Sequence, residues 1–114
     1  MSSYKAILPM GHRFHHVGVP VDEKLPNMKH LEHLKFWVTG YDSSPYKYEW
    51  MYFDEDCDLP ELVKTVPHVC FEVDDLDAAL KGQEIIIAPT SPILELRVAF
   101  IVHDGAPIEL LQIL

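Results

Sequence analysis

The chain has 114 residues, of which 48% are hydrophobic and 24% charged, and its formal net charge at pH 7 is -9. This length suits one domain with a substantial core, and an acidic chain without a basic patch is unsuited to nucleic acids or anionic membranes. No apolar run approaches the roughly 20 residues of a membrane span, and the apolar part of residues 1–11 is too short for a signal peptide. We therefore expect one cytoplasmic domain, with residues 1–11 as a loose leader.

The first predicted strand, residues 13–21, has a second copy later in the chain. Residues 15–23 read H-H-V-G-V-P-V-D-E and residues 67–75 read P-H-V-C-F-E-V-D-D, and the two patterns align when His16 is set on His68. In both copies, alternate positions place valine or phenylalanine on one face of the strand. The other face begins with the histidine. It is too polar in one copy, and has too little side chain in the other, for an ordinary apolar core. Its members are His16, Gly18 and Pro20 in the first copy, and His68, Cys70 and Glu72 in the second. The repeat predicts two halves of one duplicated site.

Residues 28–34 carry Met28, Leu31 and Leu34 at helical spacing, which predicts a helix of about two turns. His30 and His33 lie on this segment. Because no third ligand is near, a solvated helix face is the favoured interpretation of these two histidines. The alternative is a zinc-binding pair. Around this helix we expect a connector over 22–27, a strand over 34–39 and a turn over 41–45.

Residues 46–53, Y-K-Y-E-W-M-Y-F, predict a strand rich in aromatic residues. Glu49 shares a face of this strand with Met51 and Phe53. A carboxylate among large apolar side chains needs a partner, and the two candidates are a surface lysine and a metal ion.

The acidic turn at 54–58, D-E-D-C-D, is interpreted as a solvated loop, because it lacks the glycine and the distal glutamate of a calcium loop. It contains Cys57, one of two cysteines in the chain; the other is Cys70. Their spacing does not suit a metal knuckle, and we expect no disulfide between them in a chain without an export signal.

In the second half, residues 75–81 predict a helix that Asp75 caps and Gly82 ends. Three strands follow at 84–88, 93–103 and 107–114, and Asp104-Gly105 between the last two is a hairpin signal. Glu109 lies among apolar residues in the last strand, as Glu49 does in the first half.

Each half thus begins with a strand that carries a histidine and ends with a strand that carries a glutamate. The four residues are His16, Glu49, His68 and Glu109. Imidazole and carboxylate together suit a divalent ion such as Zn²⁺, Ni²⁺, Co²⁺, Mn²⁺ or Fe²⁺. The sequence therefore predicts one metal site shared by the two halves.

These motifs, together with D-G-A-P-I-E-L-L-Q-I near the end of the chain, resemble the vicinal oxygen chelate superfamily. Its members include glyoxalase I, bleomycin resistance proteins, extradiol dioxygenases and methylmalonyl-CoA epimerase. The resemblance implies an α+β fold in which paired βαβββ modules form an open, curled mixed sheet around a divalent metal, and it implies a homodimer. We expect a single domain over residues 1–114, with half-modules at about 12–58 and 64–114. The first module is shortened where the family has its first helix and a further strand.

Carried over by position, the resemblance implies that His16, Glu49, His68 and Glu109 are the metal ligands, with His15 as the rival of His16. It implies that Glu109 or Glu49 is the general base. Glu72 is expected either to orient the substrate or to be an exposed charge at a strand end.

By the same resemblance, the function is that of a metal-dependent lyase or isomerase of the glyoxalase or epimerase type. Such an enzyme acts on a small carbonyl compound through a metal-stabilised enediolate. Glutathione-linked activity is less expected, because the chain offers few cations for the carboxylates of glutathione. The alternative is a metal-free small-molecule binding protein like the bleomycin resistance proteins. In that case Trp37, Tyr48, Trp50 and Tyr52 are candidates to stack on a planar ligand, although an aromatic strand face more often belongs to a core or a dimer interface.

Overall fold

The computed structural model describes residues 6–114, which form one sheet of eight strands and two short helices. The elements in chain order are β1 (Arg13–Pro20), β2 (Lys29–Leu31), β3 (Phe36–Thr39), β4 (Tyr48–Phe53), α1 (Glu61–Thr65), β5 (His68–Glu72), α2 (Leu76–Ala79), β6 (Glu84–Thr90), β7 (Leu96–His103) and β8 (Ala106–Ile113). The predicted α+β class with an open mixed sheet is confirmed.

The strand order in the sheet is β2-β3-β4-β1-β5-β8-β7-β6. In each half the first strand pairs in parallel with the last, β1 with β4 and β5 with β8, and every other pair is antiparallel. The two halves meet where β1 pairs with β5, so the two copies of the sequence pattern lie side by side at the centre. In that pairing Gly18 lies opposite His68, and His16 lies opposite Cys70.

The main core lies on the outer face of the second half, beneath α2. Val73, Leu76 and Leu80 pack there against Ala99, Ile101 and Leu110 of β7 and β8. The Asp75 side chain accepts a hydrogen bond from the backbone N–H of Ala78, as the predicted cap requires. Because side chains alternate along a strand, Leu110 faces this core while Glu109 faces the opposite, concave side.

The predicted helix at 28–34 is wrong. Residues 29–31 form β2 instead, with His30 opposite Trp37 of β3, and a turn follows in which Lys35 has a φ of 61°. Two helical turns are too short to be stable alone, whereas the open edge of β3 supplies backbone hydrogen-bond partners. Within the described residues, the first half thus has no helix over its outer face.

The helix α1, between the two halves, was not predicted. Its Val63 is buried and its first turn begins after Pro60, a residue suited to a helix start. The hairpin at Asp104-Gly105 is confirmed, and both residues have positive φ, 50° and 80°. Cys57 and Cys70 are both free and buried. None of the helices in the described part of the chain has the length and apolar character needed to cross a membrane.

Candidate metal centre

The four predicted ligands converge at the centre of the concave face. The Nε2 atom of His68 lies 3.0 Å from Oε1 of Glu109, and the Nε2 atom of His16 lies 3.2 Å from the same oxygen. The Nε2 atom of His16 also lies 3.5 Å from Oε1 of Glu49. The sheet register produces this arrangement, because Gly18 pairs with both Glu49 and His68 while Cys70 pairs with both His16 and Glu109.

Gly18 provides the space in which the ring of His68 lies. A Cβ atom at Gly18 would overlap the imidazole of His68. The backbone of Gly18 has no positive φ, so the need for glycine is one of room. The ring of His68 is held from the other side by Phe100, at an edge-to-face distance of 4.8 Å between ring centroids.

The cluster is buried, and its charges are mutually dependent. His16, His68 and Glu109 are 4%, 2% and 7% exposed. Burial alone would raise the pKa of Glu109, but the imidazoles of His16 and His68 outweigh it and lower this pKa to about 2. Burial likewise works to lower the pKa of His16, yet the proximity and charge of Glu109 and the charge of Glu49 raise it. The pKa of Glu49 is raised, chiefly by burial.

The donor atoms of His16, His68 and Glu109 all lie within 4.8 Å of one another, which is close enough to hold one cation. The Nε2 atom of His16 is buried and, within residues 6–114, has no hydrogen-bond partner, because its approach to Glu109 lacks hydrogen-bond geometry. A buried donor or acceptor without a partner is costly. Two imidazoles and one or two carboxylates suit Zn²⁺ and its neighbours among the transition metals. The residues present therefore fit a divalent cation, with Glu49 at the edge of the set.

His15 supports His16 and does not join His68 and Glu109. The Nδ1 atoms of His15 and His16 are 2.8 Å apart, and the hydroxyl of Tyr41 lies 3.3 Å from Nε2 of His15. The ring of His15 also stacks on Tyr41. Because Nδ1 of His16 is engaged in this way, its Nε2 is turned toward Glu109. The geometry favours His16 over His15 as the ligand, and it assigns Tyr41, which the sequence placed only in a turn, to the support of the site.

A second set of donor atoms, from His15, His16 and Cys70, also lies within 4.8 Å. Burial and the charges of Glu109 and Glu49 raise the pKa of the Cys70 thiol well above its ordinary value. Metals bind the thiolate form, so a cation at this second set would have to displace the proton of the Cys70 thiol.

The candidate centre lies at the floor of a cavity of about 400 Å³ between the two halves of the sheet, lined by His15, His16, Glu49 and Glu109 together with apolar walls. Among the residues that the structure describes, none of Trp37, Tyr48, Trp50 and Tyr52 lines this cavity. In β4, Tyr48, Trp50 and Tyr52 alternate with Glu49 and Met51, which face the cavity, so these three side chains lie on the outer face. Trp37 of β3 lies opposite Tyr52 and shares that face. These four side chains are therefore not positioned to stack on a ligand held in this cavity.

Three other candidates lie away from the centre. Glu72 forms an ion pair with Arg13 at 3.0 Å, as expected for a charge at a strand end. His30 contacts the carboxylate of Asp54 at 2.8 Å, and His33 contacts the backbone oxygen of Ser91 at 3.1 Å. His30 and His33 thus have separate partners and do not form a zinc-binding pair.

Comparison with known proteins finds no matching family model and no matching curated protein. Among solved structures, the fold is similar to that of methylmalonyl-CoA epimerase from Mycobacterium tuberculosis, with a TM-score of 0.65 over 96% of this chain and 94% of that chain. This chain has the vicinal oxygen chelate fold. The sequence identity to the epimerase is 17%, so this comparison shows the fold alone.

Proposed function

We propose that this vicinal oxygen chelate protein is a divalent-metal-dependent isomerase or lyase that acts on a small carbonyl compound. The observation that carries the proposal is the convergence of the donor atoms of His16, His68 and Glu109 within 4.8 Å of one another. His16 and Glu109 line the cavity, and the buried Nε2 of His16 is unpartnered in the described chain. The fold neighbour is an epimerase, which is consistent with isomerase chemistry on this scaffold.

His16, His68 and Glu109 would hold the cation, and strands β1, β5 and β8 fix their positions before substrate binds. A divalent cation bound there supplies Lewis-acid stabilisation of the negative charge that develops on substrate oxygens when a neighbouring carbon loses a proton. The concave position of the cluster, buried in the sheet, limits the access of water to the reacting atoms.

Glu49 is the better placed general base. Its carboxylate lines the cavity, its side chain is 24% exposed, and its close contact with the cluster is the 3.5 Å approach to His16. Glu109, by contrast, is held between two imidazoles at 3.0 and 3.2 Å. A base must be able to reach the substrate proton, and the Glu49 side chain has that freedom. We therefore assign proton transfer to Glu49 and metal retention to Glu109.

Metal content is the first test. Protein purified without chelators should contain one divalent cation per chain by elemental analysis, and His68→Ala should lose it. His103→Ala is the matched control, because His103 is exposed and lies in β7 away from the cluster. Metal-free protein with all four candidate ligands intact would overturn the proposal.

Proton exchange is the second test and needs no knowledge of the natural product. The metal-loaded protein is incubated in deuterated water with a panel of small, free 2-hydroxycarbonyl compounds, and NMR follows deuterium entering the carbon next to the carbonyl. Glu49→Gln should slow this exchange at least 100-fold, the usual scale of general base catalysis, while metal content is retained. Exchange that is unaffected by Glu49→Gln would contradict the assignment of the base.

The second candidate function is metal-free binding of a small molecule. The cavity of about 400 Å³ favours it, because its apolar walls are present whether or not a cation binds. Ligand binding that survives chelator treatment and His68→Ala, in a protein purified without metal, would support this candidate over the enzyme.

A further inference from the structure

The walls of the cavity above the candidate metal centre are apolar in both halves of the molecule. The first half contributes Leu31, Val38 and Met51, and the second contributes Ile87, Leu96 and Phe100. Met51 and Phe100 are 5% and 6% exposed and so are fixed parts of the wall. The polar lining comprises His15, His16, Glu49 and Glu109 of the candidate centre together with Lys29, Tyr41, Asp42 and Thr90. A ligand that fills this space must therefore present an apolar surface to it.

The cavity has too few cationic side chains to bind coenzyme A or glutathione, the large anionic carriers to which some carbonyl substrates are attached. Of the lysine and arginine side chains in the described chain, Lys29 is the one that lines the cavity, and Asp42 lines it as well. Coenzyme A carries several phosphate charges and glutathione carries two carboxylates. Such groups are bound by clusters of cationic side chains or by helix N-termini, and the net charge of -9 works against them.

We propose that the substrate of this site carries an uncharged alkyl chain or aryl ring beside its two neighbouring oxygens, and binds as the free compound rather than as a thioester of coenzyme A or an adduct of glutathione. The assignment of the two oxygens rests on the function proposed above. The assignment of the apolar group rests on the walls alone.

A series of 1,2-diols, from 1,2-propanediol to 1,2-octanediol, tests the proposed apolar group (the tail) by binding alone, because no reaction is needed. The compounds share the pair of neighbouring oxygens, are uncharged and differ in methylene count. Each methylene that enters an apolar site raises affinity by about fourfold at most. NMR shift titration of the intact protein, with and without Zn²⁺, should show affinity rising by about two- to fourfold per methylene until the cavity is filled. Acetyl-CoA should bind more weakly than 1,2-octanediol.

Ile93 and Leu94 offer a matched pair of variants. Both side chains are exposed, by 40% and 88%, so a polar replacement of either leaves the core intact, but Ile93 lines the cavity and Leu94 does not. Ile93→Ser should lower the affinity for 1,2-octanediol by about threefold to tenfold and leave that for 1,2-propanediol unchanged. Leu94→Ser should change neither.

Affinity that is independent of chain length, equal effects of the two variants, or tighter binding of acetyl-CoA than of 1,2-octanediol would each overturn the inference. The metal content of the protein distinguishes a failure of the inference about the apolar group from a failure of the proposed function. If the protein holds no metal but its affinity for the diols rises with chain length, the apolar group is supported and the proposed metal-dependent enzyme is contradicted. If the protein holds stoichiometric metal but its affinity for the diols does not depend on chain length, the inference about the apolar group is contradicted and the proposed function is retained.

Discussion

Glu109 is a carboxylate on a strand face whose neighbours in sequence are leucine and isoleucine, and two imidazoles from the other strands hold it. Both contacts come from residues that lie more than 40 positions away in the chain. Its lowered pKa is a property of this assembly, since burial alone would raise it. At the scale of single residues, the site is thus a set of groups that stabilise one another.

The pKa of about 2 for Glu109 predicts how the metal-free protein responds to acid. A carboxylate with a folded pKa below its ordinary 4.5 stabilises the fold above pH 4.5, and this contribution is lost as the pH falls from there toward 2. The contribution of His16 to stability depends on pH in the opposite direction, because its pKa is raised. This contribution is present below pH 6.5 and is lost as the pH rises through the pKa of the folded state. Urea unfolding of chelator-treated Glu109→Gln should therefore show a smaller loss of stability below pH 4.5 than the unsubstituted protein. Parallel curves for the two proteins would show that Glu109 is not held in this way.

The overlap between a Cβ at Gly18 and the ring of His68 predicts coupling between these positions. Gly18→Ala should destabilise the protein by about 1–3 kcal/mol, because an added methyl in a packed site forces its neighbour to move. In a His68→Ala background the same substitution should cost less, since the ring is gone. A double-mutant cycle on the free energy of unfolding measures this difference, and equal costs in both backgrounds would contradict it.

At the scale of elements, the two halves of the chain differ in what covers the outer face of the sheet. Helix α2 buries Leu76 and Leu80 against the second half, whereas residues 21–28, which connect β1 to β2 in the first half, contain no helix. The side chains left on that face, among them Tyr48 at 40% exposure, are correspondingly open. The shortening seen in the sequence thus removes the helix of the first half. The expected loss of a strand is wrong, because within the described residues the first half keeps four strands, as the second half does.

Helix α2 is only four residues long, so its cap should matter for stability. Asp75→Ala removes the acceptor for the backbone N–H of Ala78 and should cost about 1 kcal/mol in the free energy of unfolding. Asp75→Asn is the control, because it retains an acceptor at the same place and should cost much less. If both substitutions have the same effect, the hydrogen bond is not the source of the stability.

At the scale of the whole molecule, the candidate centre exists only when both halves are folded and paired. His16 comes from the first half, and His68 and Glu109 come from the second, across the β1–β5 and β5–β8 pairings. A cation bound there would favour the folded state, because the unfolded chain does not bring these donors together.

Zinc should therefore raise the stability of the whole domain. At a free concentration of about 100 times Kd the expected gain in the free energy of unfolding is about 2.7 kcal/mol, or less if the unfolded chain also binds the ion. His68→Ala should abolish the gain, and His103→Ala should keep it. The measurement is a thermal or urea unfolding curve with and without Zn²⁺, and a gain that persists in His68→Ala would place the ion elsewhere.

Alternation along single strands determined much of this protein from its sequence alone. Because side chains change face at every residue, the pattern by itself predicts that His16 shares a face of its strand with Gly18, and His68 a face of its strand with Cys70. The strand pairing then joins these faces, since Gly18 lies opposite His68 and Cys70 lies opposite both His16 and Glu109. The cap at Asp75 follows from equally local physics. The helix predicted at 28–34 failed because the pairing of β2 with β3 outweighs a weak local preference.

Only the tertiary structure decided which strands become neighbours, and with that the partner of each buried polar atom. The role of His15, held between His16 and Tyr41, depends on a loop that packs from 26 positions away. The apolar walls likewise come from strands at both ends of the sheet. Such contacts are long-range, and no local pattern encodes them, because the free energy that fixes them is gained only when the curled sheet brings distant segments together.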